Sequence, residues 1–387
     1  MEVSRTYARL TPMPASLPAD PPHARSLTDV VPQTLAAIEG ASEWFAPASS
    51  VVLFVVDGLG ASNLAARAGH ARFLSAAGGK KDVARTVFPS TTATALTGLL
   101  TGADAGQHGI VGYRARVPGT DHIANQLRGW ETDGLPATWQ RAPRLTARGD
   151  VPFFVVSKSE YERTGFTAST MGGADFVGED DLQRRVERAA DLAASHPGSF
   201  VYVYANDLDA VGHRRGWQSD EWIAALEDVD AAARRLVSHA TPGTGVVLTA
   251  DHGMVDVPRH RQVLIDDASP LVEGVRLVGG EPRMLHLYTE PGAASGVHTA
   301  WMDAEGHRSW VLTREDAVAA GLFGEHVDAE VLPRIGDVLV AARAGIAYYD
   351  DRVADKSAQR MVGQHGSLTP EERVVPLIRL GAFAPAR

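Results

Sequence analysis

The feature that most constrains this chain is an unbroken apolar run, Val51–Val56, that ends in Asp57 and Gly58. Six consecutive apolar residues, mostly β-branched and without polar alternation, are typical of a central strand of a parallel sheet, because helices cover both faces of such a sheet. Ligands of these sheets gather at the carboxyl ends of the strands. The run therefore predicts a buried strand that delivers a carboxylate to a ligand site.

The same pattern occurs twice more. One apolar run, Val246–Ala250, leads into Asp251 and His252. The other run, Phe200–Tyr204, leads into four polar residues: Asn206, Asp207, Asp209 and His213. An i, i+4 spacing would place Asp209 and His213 on one face of a helix.

A single aspartate at a strand end commonly caps the following helix or turn. Three such strands at one rim are harder to explain in that way, because neighbouring carboxylates repel one another unless cations or hydrogen bonds offset the repulsion. A mixture of Asp and His is a ligand set suited to zinc. The three runs together therefore predict a metal site.

Length, charge and cysteine content narrow the classes of function. With 387 residues, 44% of them hydrophobic, the chain exceeds the ~250–300 residues at which single cores usually stop growing, which predicts one large α/β domain with an insertion. The formal charge of −10 argues against a nucleic-acid polymer as partner, whereas a small anionic substrate is compatible with a bound metal. Because the chain has no cysteine, any metal must be held by His, Asp, Glu or hydroxyl oxygen.

The sequence was also searched for a signal peptide and for membrane-spanning segments, which indicate where in the cell a protein is located. The start of the chain, Met1–Arg5, lacks a basic segment followed by an apolar one, and no apolar run approaches the ~20 residues of a membrane span. We therefore expect a cytoplasmic protein without a membrane partner.

Composition suggests how the chain is divided. Residues 1–48 are rich in Pro, Ala and Ser and are predicted to form an N-terminal arm with a helix at Val31–Glu39. Residues 49–387 are predicted to form the catalytic domain. Within it, residues 258–352 alternate short strands, such as Met284–Tyr288 and Ser309–Leu312, with Gly, Pro and Asp turns, which indicates an inserted α+β cap subdomain.

The cap separates Asp251 and His252 from His365 in sequence, so we expect it to form part of the substrate pocket wall. Its aromatic residues either stack on substrate or fill the cap's own core, and the second role is favoured for most of them: Tyr288, Trp301, Trp310, Phe323, Tyr348 and Tyr349. Elsewhere, four further elements are predicted: a helix at Leu64–Ala68 capped by Ser62 or Asn63, helices at Asp180–Ser195 and Trp217–His239, and a final strand at Val374–Leu380.

The segment from Phe88 to Gly102 combines hydroxyls with a helix start. Pro89 fixes a turn, and the Ala/Leu/Thr run that follows predicts a helix that ends at Gly102. Free N–H groups and the positive end of the helix dipole stabilise both an alkoxide and a bound phosphate. The residues alone do not decide which hydroxyl would act as nucleophile and which would cap the helix: Ser90, Thr91 or Thr92.

Two histidines share a Gln-His-Gly pattern, and one is predicted to be a ligand and the other structural: His108 and His365.

In this order along the chain, the motifs resemble those of the alkaline phosphatase superfamily, and within it those of the type I phosphodiesterase/nucleotide pyrophosphatase family. The matching segments are VVDG at 55–58, FPSTTATALTGLLTG at 88–102, HGI at 108–110, DAVGH at 209–213, ADHGM at 250–254 and GQHG at 363–366. The resemblance implies an α/β fold with a mostly parallel central sheet and helices on both faces.

The resemblance also implies a two-zinc site. One ion would be held by Asp57, Asp251, His252 and the nucleophilic hydroxyl, and the other by Asp209, His213 and His365. In the family the nucleophile stands nine positions before the Thr of the terminal Thr-Gly, and this spacing leads from Thr101 to Thr92. Two zinc ions ~4 Å apart clamp a phosphoryl group.

The implied reaction is hydrolysis of a small phosphodiester or pyrophosphate through a covalent phosphothreonine-type intermediate. Alternatives within the superfamily are a phosphomonoesterase, a phosphonate hydrolase or a mutase-like enzyme. No arginine obviously matches the one that grips the doubly charged phosphate of a monoester, which favours diesters, and Arg114 and Arg116 are the candidates nearest to the site in sequence. A metal-stabilised binding protein without activity is the alternative from another class.

Overall fold

The structure, a computed structural model, describes residues 16–385. The strands are β1 (Ser50–Val56), β2 (Val83–Arg85), β3 (Arg114–Arg116), β4 (Ile123–Asn125), β5 (Phe153–Ser157), β6 (Asp175–Gly178), β7 (Phe200–Ala205), β8 (Thr244–Thr249), β9 (Val255–Asp256), β10 (Gln262–Ile265), β11 (Val275–Glu281), β12 (Met284–Thr289), β13 (Ser309–Thr313), β14 (Val338–Ala342), β15 (Ala347–Asp350), β16 (Gly363–Gln364) and β17 (Val374–Gly381).

Residues 16–385 also contain thirteen α-helices. They are α1 (Val30–Ile38), α2 (Ala61–Ala66), α3 (Arg72–Ala77), α4 (Thr92–Thr101), α5 (Ala105–His108), α6 (Gly129–Thr132), α7 (Gly165–Met171), α8 (Leu182–Ser195), α9 (Asp207–Arg215), α10 (Asp220–His239), α11 (Ala294–Glu305), α12 (Arg314–Ala319) and α13 (Pro370–Arg373). Across residues 16–385, no helix combines the length and the apolarity needed to cross a bilayer.

A seven-stranded sheet forms the centre of the molecule, in the order β2-β17-β8-β1-β7-β5-β6. The five strands from β8 to β6 run parallel, whereas β17 pairs antiparallel with β8 and with β2. The predicted fold class, α/β with a mostly parallel central sheet, is therefore confirmed.

Strand β1 lies in the middle of this sheet, and all of its residues are buried. Because successive side chains of a strand point to opposite faces, this burial means that both faces of the sheet are covered. Each fully buried Val, Leu or Phe stabilises the fold by about 1.5–3 kcal/mol relative to an exposed one. The apolar run thus fixes β1 at the centre of the core.

The register of the strands brings their carboxyl ends to one level. Val56 pairs with Ala205 of β7, and Val55 pairs with Thr249 of β8. Asp57 follows β1 directly and Asp251 lies two residues beyond β8. The two aspartates therefore emerge side by side at the same rim.

The predicted insertion contains a separate four-stranded antiparallel sheet, in the order β11-β12-β14-β13. Two predicted strands, Met284–Tyr288 and Ser309–Leu312, correspond to β12 and β13. Helix α11 packs on this sheet, and Trp301 from the helix contacts Tyr348 with ring centroids 5.5 Å apart. The insertion thus has its own apolar core.

The first 15 residues of the predicted arm lie outside the described residues. Its later part, including α1, buries apolar side chains against the main core, among them Leu27, Val30, Leu35 and Phe45. The division into an arm, a catalytic domain and a cap stays a prediction.

Two helix starts differ from the prediction by three residues, those of α2 and α10. Helix α2 begins at Ala61 with Gly60 in the cap position, so the predicted cap by Ser62 or Asn63 is wrong, and the Asn63 amide instead bonds both backbone groups of Met254. Helix α10 begins at Asp220, later than the predicted Trp217, because Ser219 accepts a hydrogen bond from the Trp222 N–H and so caps the helix there.

Candidate metal centre

The structure brings the seven predicted site residues together at the carboxyl end of the central sheet. Ligand atoms of Asp209, His213 and His365 all lie within 4.8 Å of one another, and those of Asp57, Asp209 and His252 do the same. The remaining two residues adjoin His252 Nε2. Asp251 Oδ2 lies 3.5 Å from this nitrogen and Thr92 Oγ1 lies 3.2 Å from it.

Asp209 belongs to both clusters, whereas the resemblance divided the ligands so that it served only one ion. It is the third residue of α9, and its Oδ2 lies 3.4 Å from His213 Nε2 on the same helical face. The absence of a side chain at Gly58 allows Asp209 to lie close to the end of β1. Gly58 adopts a φ of 75°, and a Cβ at this position would lie only 3.1 Å from Asp209 Oδ1.

All three histidines have Nδ1 bonded to a backbone carbonyl. The acceptors are Gly253 O for His252 at 3.1 Å, Gly363 O for His213 at 2.7 Å and Ser90 O for His365 at 2.9 Å. Because a carbonyl oxygen only accepts, Nδ1 carries the proton, and in the neutral ring Nε2 has a free lone pair. This is the arrangement in which a histidine typically ligates a metal through Nε2.

Each of the three carboxylates at the centre has one oxygen without a hydrogen bond. Within the described part of the chain, Asp57 Oδ1, Asp209 Oδ1 and Asp251 Oδ2 are buried without a hydrogen-bond partner. Burial raises the pKa of Asp57 well above its usual range, and the nearby charges of Asp251 and Asp209 raise it further, against the hydrogen bond that the Tyr204 hydroxyl donates to Oδ2. A cation at this point would offset the repulsion.

The other oxygen of Asp251 has a structural role. Oδ1 accepts hydrogen bonds from the N–H groups of Gly58 at 3.1 Å and His252 at 2.9 Å. These bonds orient the carboxylate and leave Oδ2 facing His252. Orphaned carboxylate oxygens facing imidazole lone pairs form a donor set that fits divalent metal ions.

Thr92 is the first residue of α4, and Thr91 occupies the cap position without making a side-chain capping bond. With Nδ1 of His252 donating to Gly253 O, Nε2 of the neutral ring accepts, and the Thr92 hydroxyl donates the 3.2 Å hydrogen bond to it. Ser90 points elsewhere, donating to Ser367 O at 2.7 Å. Of the three predicted hydroxyls, the structure brings that of Thr92 to the ligand clusters.

The two Gln-His-Gly histidines lie in different environments. His365 faces His213 and His252, whereas His108 is in neither cluster found among residues 16–385. His108 is fully buried, and its Nδ1 accepts a 3.1 Å hydrogen bond from the Ile110 N–H. It braces the turn after α5. Burial and the charge of Arg334 lower the pKa of His108 to about 3.

A cavity of about 400 Å³ opens onto the clusters. Glu281 and Pro282 of the predicted insertion line it, which confirms that this segment contributes to the pocket wall. The six aromatic residues proposed as stacking surfaces do not line it within the described structure. Trp301 and Tyr348 pack in the core of the insertion and Phe323 packs in a second apolar cluster.

Another part of the cavity wall was not predicted from the sequence. It is formed by Ser157, Tyr161, Phe166, Met171 and Phe176. Ser157 was within reach of prediction, because it ends an apolar strand of the parallel sheet, like the strands before Asp57 and Asp251. The apolar residues of this wall could not be predicted from the sequence, because apolar side chains of the same kinds fill any protein core.

Neither of the two candidate arginines, Arg114 and Arg116, lines the cavity; among residues 16–385 the arginine that does is Arg128, which is exposed. Arg116 instead donates from Nε to Thr120 O at 2.7 Å. Arg114 and Arg116 belong to the small β3-β4 hairpin.

Comparisons with solved structures agree with this architecture. Murine ectonucleotide pyrophosphatase/phosphodiesterase 5 is similar with a TM-score of 0.64 and 17% identity, covering 86% of this chain and 88% of that chain. The human protein of the same name is similar with a TM-score of 0.65 and 16% identity, covering 87% and 90%. An inactive Thr→Ala variant of the murine protein has been solved in complex with AMP, with the same TM-score of 0.64.

Comparison with curated proteins finds no match. The family model described as type I phosphodiesterase/nucleotide pyrophosphatase matches residues 51–368, which include every residue of the two ligand clusters. The chain belongs to the type I phosphodiesterase/nucleotide pyrophosphatase family, whose members are metal-dependent hydrolases of phosphoric ester bonds.

Proposed function

We propose that this protein hydrolyses a small, nucleotide-like phosphodiester or pyrophosphate through a covalent phosphothreonine at Thr92, with two zinc ions bound. The observation that carries the proposal is the position of Thr92. Its hydroxyl lies at the start of α4, in the wall of the cavity, and 3.2 Å from a nitrogen of the ligand cluster. A hydroxyl at this position is suited to nucleophilic attack on phosphorus.

The residues present fit two divalent ions. Asp57, Asp251 and His252 would hold one with the Thr92 oxygen, and Asp209, His213 and His365 would hold the other. When bound, such ions neutralise the carboxylates, lower the pKa of a coordinated hydroxyl and offset charge on the leaving oxygen.

The chemistry of the chain itself then has two steps. Thr92 Oγ1, its proton lost to solvent, forms a bond to phosphorus while the bond between phosphorus and the leaving group breaks, and the leaving oxygen departs with the electron pair and takes up a proton from solvent. Water then attacks phosphorus, the bond between phosphorus and Thr92 Oγ1 breaks, and one water proton passes to Oγ1, which releases the phosphomonoester and restores the Thr92 hydroxyl. The first-turn N–H groups of α4 have no intrahelical acceptors, so they are available to donate to the phosphoryl oxygens.

Two observations support a small diester as substrate. A cavity of about 400 Å³ falls within the ~300–1,000 Å³ typical of small-molecule sites. The arginine that lines it within the described residues, Arg128, is exposed, so a buried cationic clamp for a doubly charged monoester is lacking there. The AMP complex of the murine relative supports a nucleotide-like group.

A panel of chromogenic esters tests the proposal on the zinc-loaded protein. We expect kcat/KM for thymidine 5′-p-nitrophenyl phosphate to exceed that for p-nitrophenyl phosphate by at least about tenfold. Preference for the monoester, or for a phosphonate, would replace the proposal with one of the alternatives within the superfamily. Bound metal without turnover of any ester would indicate a binding protein.

A further inference from the structure

A buried ion pair joins the predicted cap to the segment that follows His365. Arg283 Nε lies 2.7 Å from Glu372 Oε1, and Arg283 Nη2 lies 2.8 Å from Oε2. The side chains are 1% and 0% exposed. Arg283 follows Pro282 in the tight turn between β11 and β12, next to the two residues that line the cavity.

The remaining donors of Arg283 are used within the cap. Nη1 donates to Ala344 O and Ile346 O, both at 2.8 Å, and Nη2 donates to Ala342 O at 3.3 Å. The guanidinium therefore fixes the hairpin turn to the chain between β14 and β15. With all of its donors paired in a rigid fork, it has no freedom to relocate.

Glu372 fixes both loops that carry metal-site histidines. Its carboxylate accepts hydrogen bonds from the Ser367 N–H at 3.0 Å and from Thr369 Oγ1 at 2.6 Å, and its backbone carbonyl accepts from the Gly253 N–H at 2.8 Å. Ser367 lies two residues after His365, and Gly253 directly follows His252. One residue thus connects the two histidine loops with the cap.

Burying an ion pair of this kind gives weak or no net stabilisation, because the desolvation of both charges opposes their attraction. Its geometric effect is stronger, since bidentate pairing fixes both distance and angle. We propose that Arg283 and Glu372 are positioning residues, which hold the cavity wall formed by Glu281 and Pro282 in register with the loops of His252 and His365. For its effect on turnover, this inference rests on the proposed function.

The test uses the full-length protein with a charge-neutral double variant, Arg283→Met with Glu372→Gln. Arg283→Met alone would leave a buried charge and is prone to unfold, whereas the double variant removes both charges and keeps an acceptor for the Ser367 N–H. The matched control is a second double variant, Arg308→Met with Glu305→Gln, because Arg308 pairs with the buried Glu305 at 2.7 Å inside the cap and contacts neither histidine loop. Arg283→Lys tests rescue by a conservative change.

We expect the double variant to fold and to bind zinc about tenfold more weakly in a competition titration. At saturating zinc, we expect KM for thymidine 5′-p-nitrophenyl phosphate to rise about tenfold with a smaller change in kcat. Arg283→Lys should fall between wild type and the double variant of Arg283 and Glu372, and the control variant of Arg308 and Glu305 should match wild type.

Either shift supports the inference if the control variant of Arg308 and Glu305 does not share it. Zinc affinity and KM both within about twofold of wild type in the folded double variant of Arg283 and Glu372, or the same shifts in the control variant, would overturn it. If the wild-type protein hydrolyses no phosphodiester, the proposed function fails separately, and zinc affinity alone then decides the inference.

Discussion

The imidazole rings of His252 and His365 stack on one another, with centroids 3.6 Å apart and an interplanar angle of 15°. Both rings are buried. Burial lowers the pKa of His365 well below its usual range, and the neighbouring His252 and His213 lower it further. Two neutral rings can stack at this distance, whereas two imidazolium ions would repel each other. The stack joins the two ligand clusters side by side.

Thr92→Ala is expected to lower kcat by at least ~10³-fold while the zinc content stays unchanged, because the covalent nucleophile is lost and the Asp and His ligands remain. Thr91→Ala is the control. Thr91 lines the same cavity but makes no side-chain capping bond, so most activity should remain. Steady-state kinetics with metal analysis checks both variants, and an inactive Thr91 variant beside an active Thr92 variant would reverse the assignment.

His365→Ala is expected to lose zinc and activity, whereas His108→Ala should keep both. The second change removes the acceptor of the buried Ile110 N–H, and an unsatisfied buried donor costs about 1–3 kcal/mol. His108→Ala should therefore lower the midpoint of thermal unfolding with little effect on metal content. Elemental analysis and thermal denaturation of the two variants check this prediction. Loss of zinc in His108→Ala, with zinc retained in His365→Ala, would exchange the two roles.

Two zinc ions per chain are expected in protein purified without chelators, because two ligand clusters lie side by side in the structure. Dialysis against a chelator should abolish turnover, and added zinc should restore it. Elemental analysis gives the stoichiometry. Full activity with one ion or none per chain would contradict the two-metal site.

Glu281 should make the stability of the protein dependent on pH. Burial raises its pKa from 4.5 to about 8, so between these values the folded state keeps a proton that the unfolded state has lost. The free energy of unfolding therefore falls as pH rises through this window, by up to about 1.4 kcal/mol per pH unit. Below pH 4.5 both states hold the proton and this effect is absent.

Glu281→Gln removes the titration while an amide oxygen can still accept the Tyr113 N–H, which Glu281 Oε2 accepts at 2.8 Å. Thermal unfolding of wild type and variant from pH 5 to 8 checks this prediction. The stability advantage of the variant should grow with pH, and a constant difference across the range would contradict the raised pKa.

The sequence by itself determined the elements that depend on short-range chemistry. An apolar run that ends in Asp-Gly specifies a buried strand and a turn, and so it predicted β1 with Asp57 at its end. The spacing of Asp209 and His213 predicted their common helical face in α9. Motif order along the chain indicated the family, which the match over residues 51–368 confirms.

Tertiary structure alone decided what depends on distances between remote segments. His108 and His365 share one local pattern, but only Gly366 pairs with Ser90 and so brings His365 beside the start of α4. Phe166 and Met171 look like core residues in the sequence, and only the packing of α7 turns them into cavity wall. Local sequence specifies backbone conformation, whereas the relative positions of remote loops follow from strand register and from buried contacts such as that between Arg283 and Glu372.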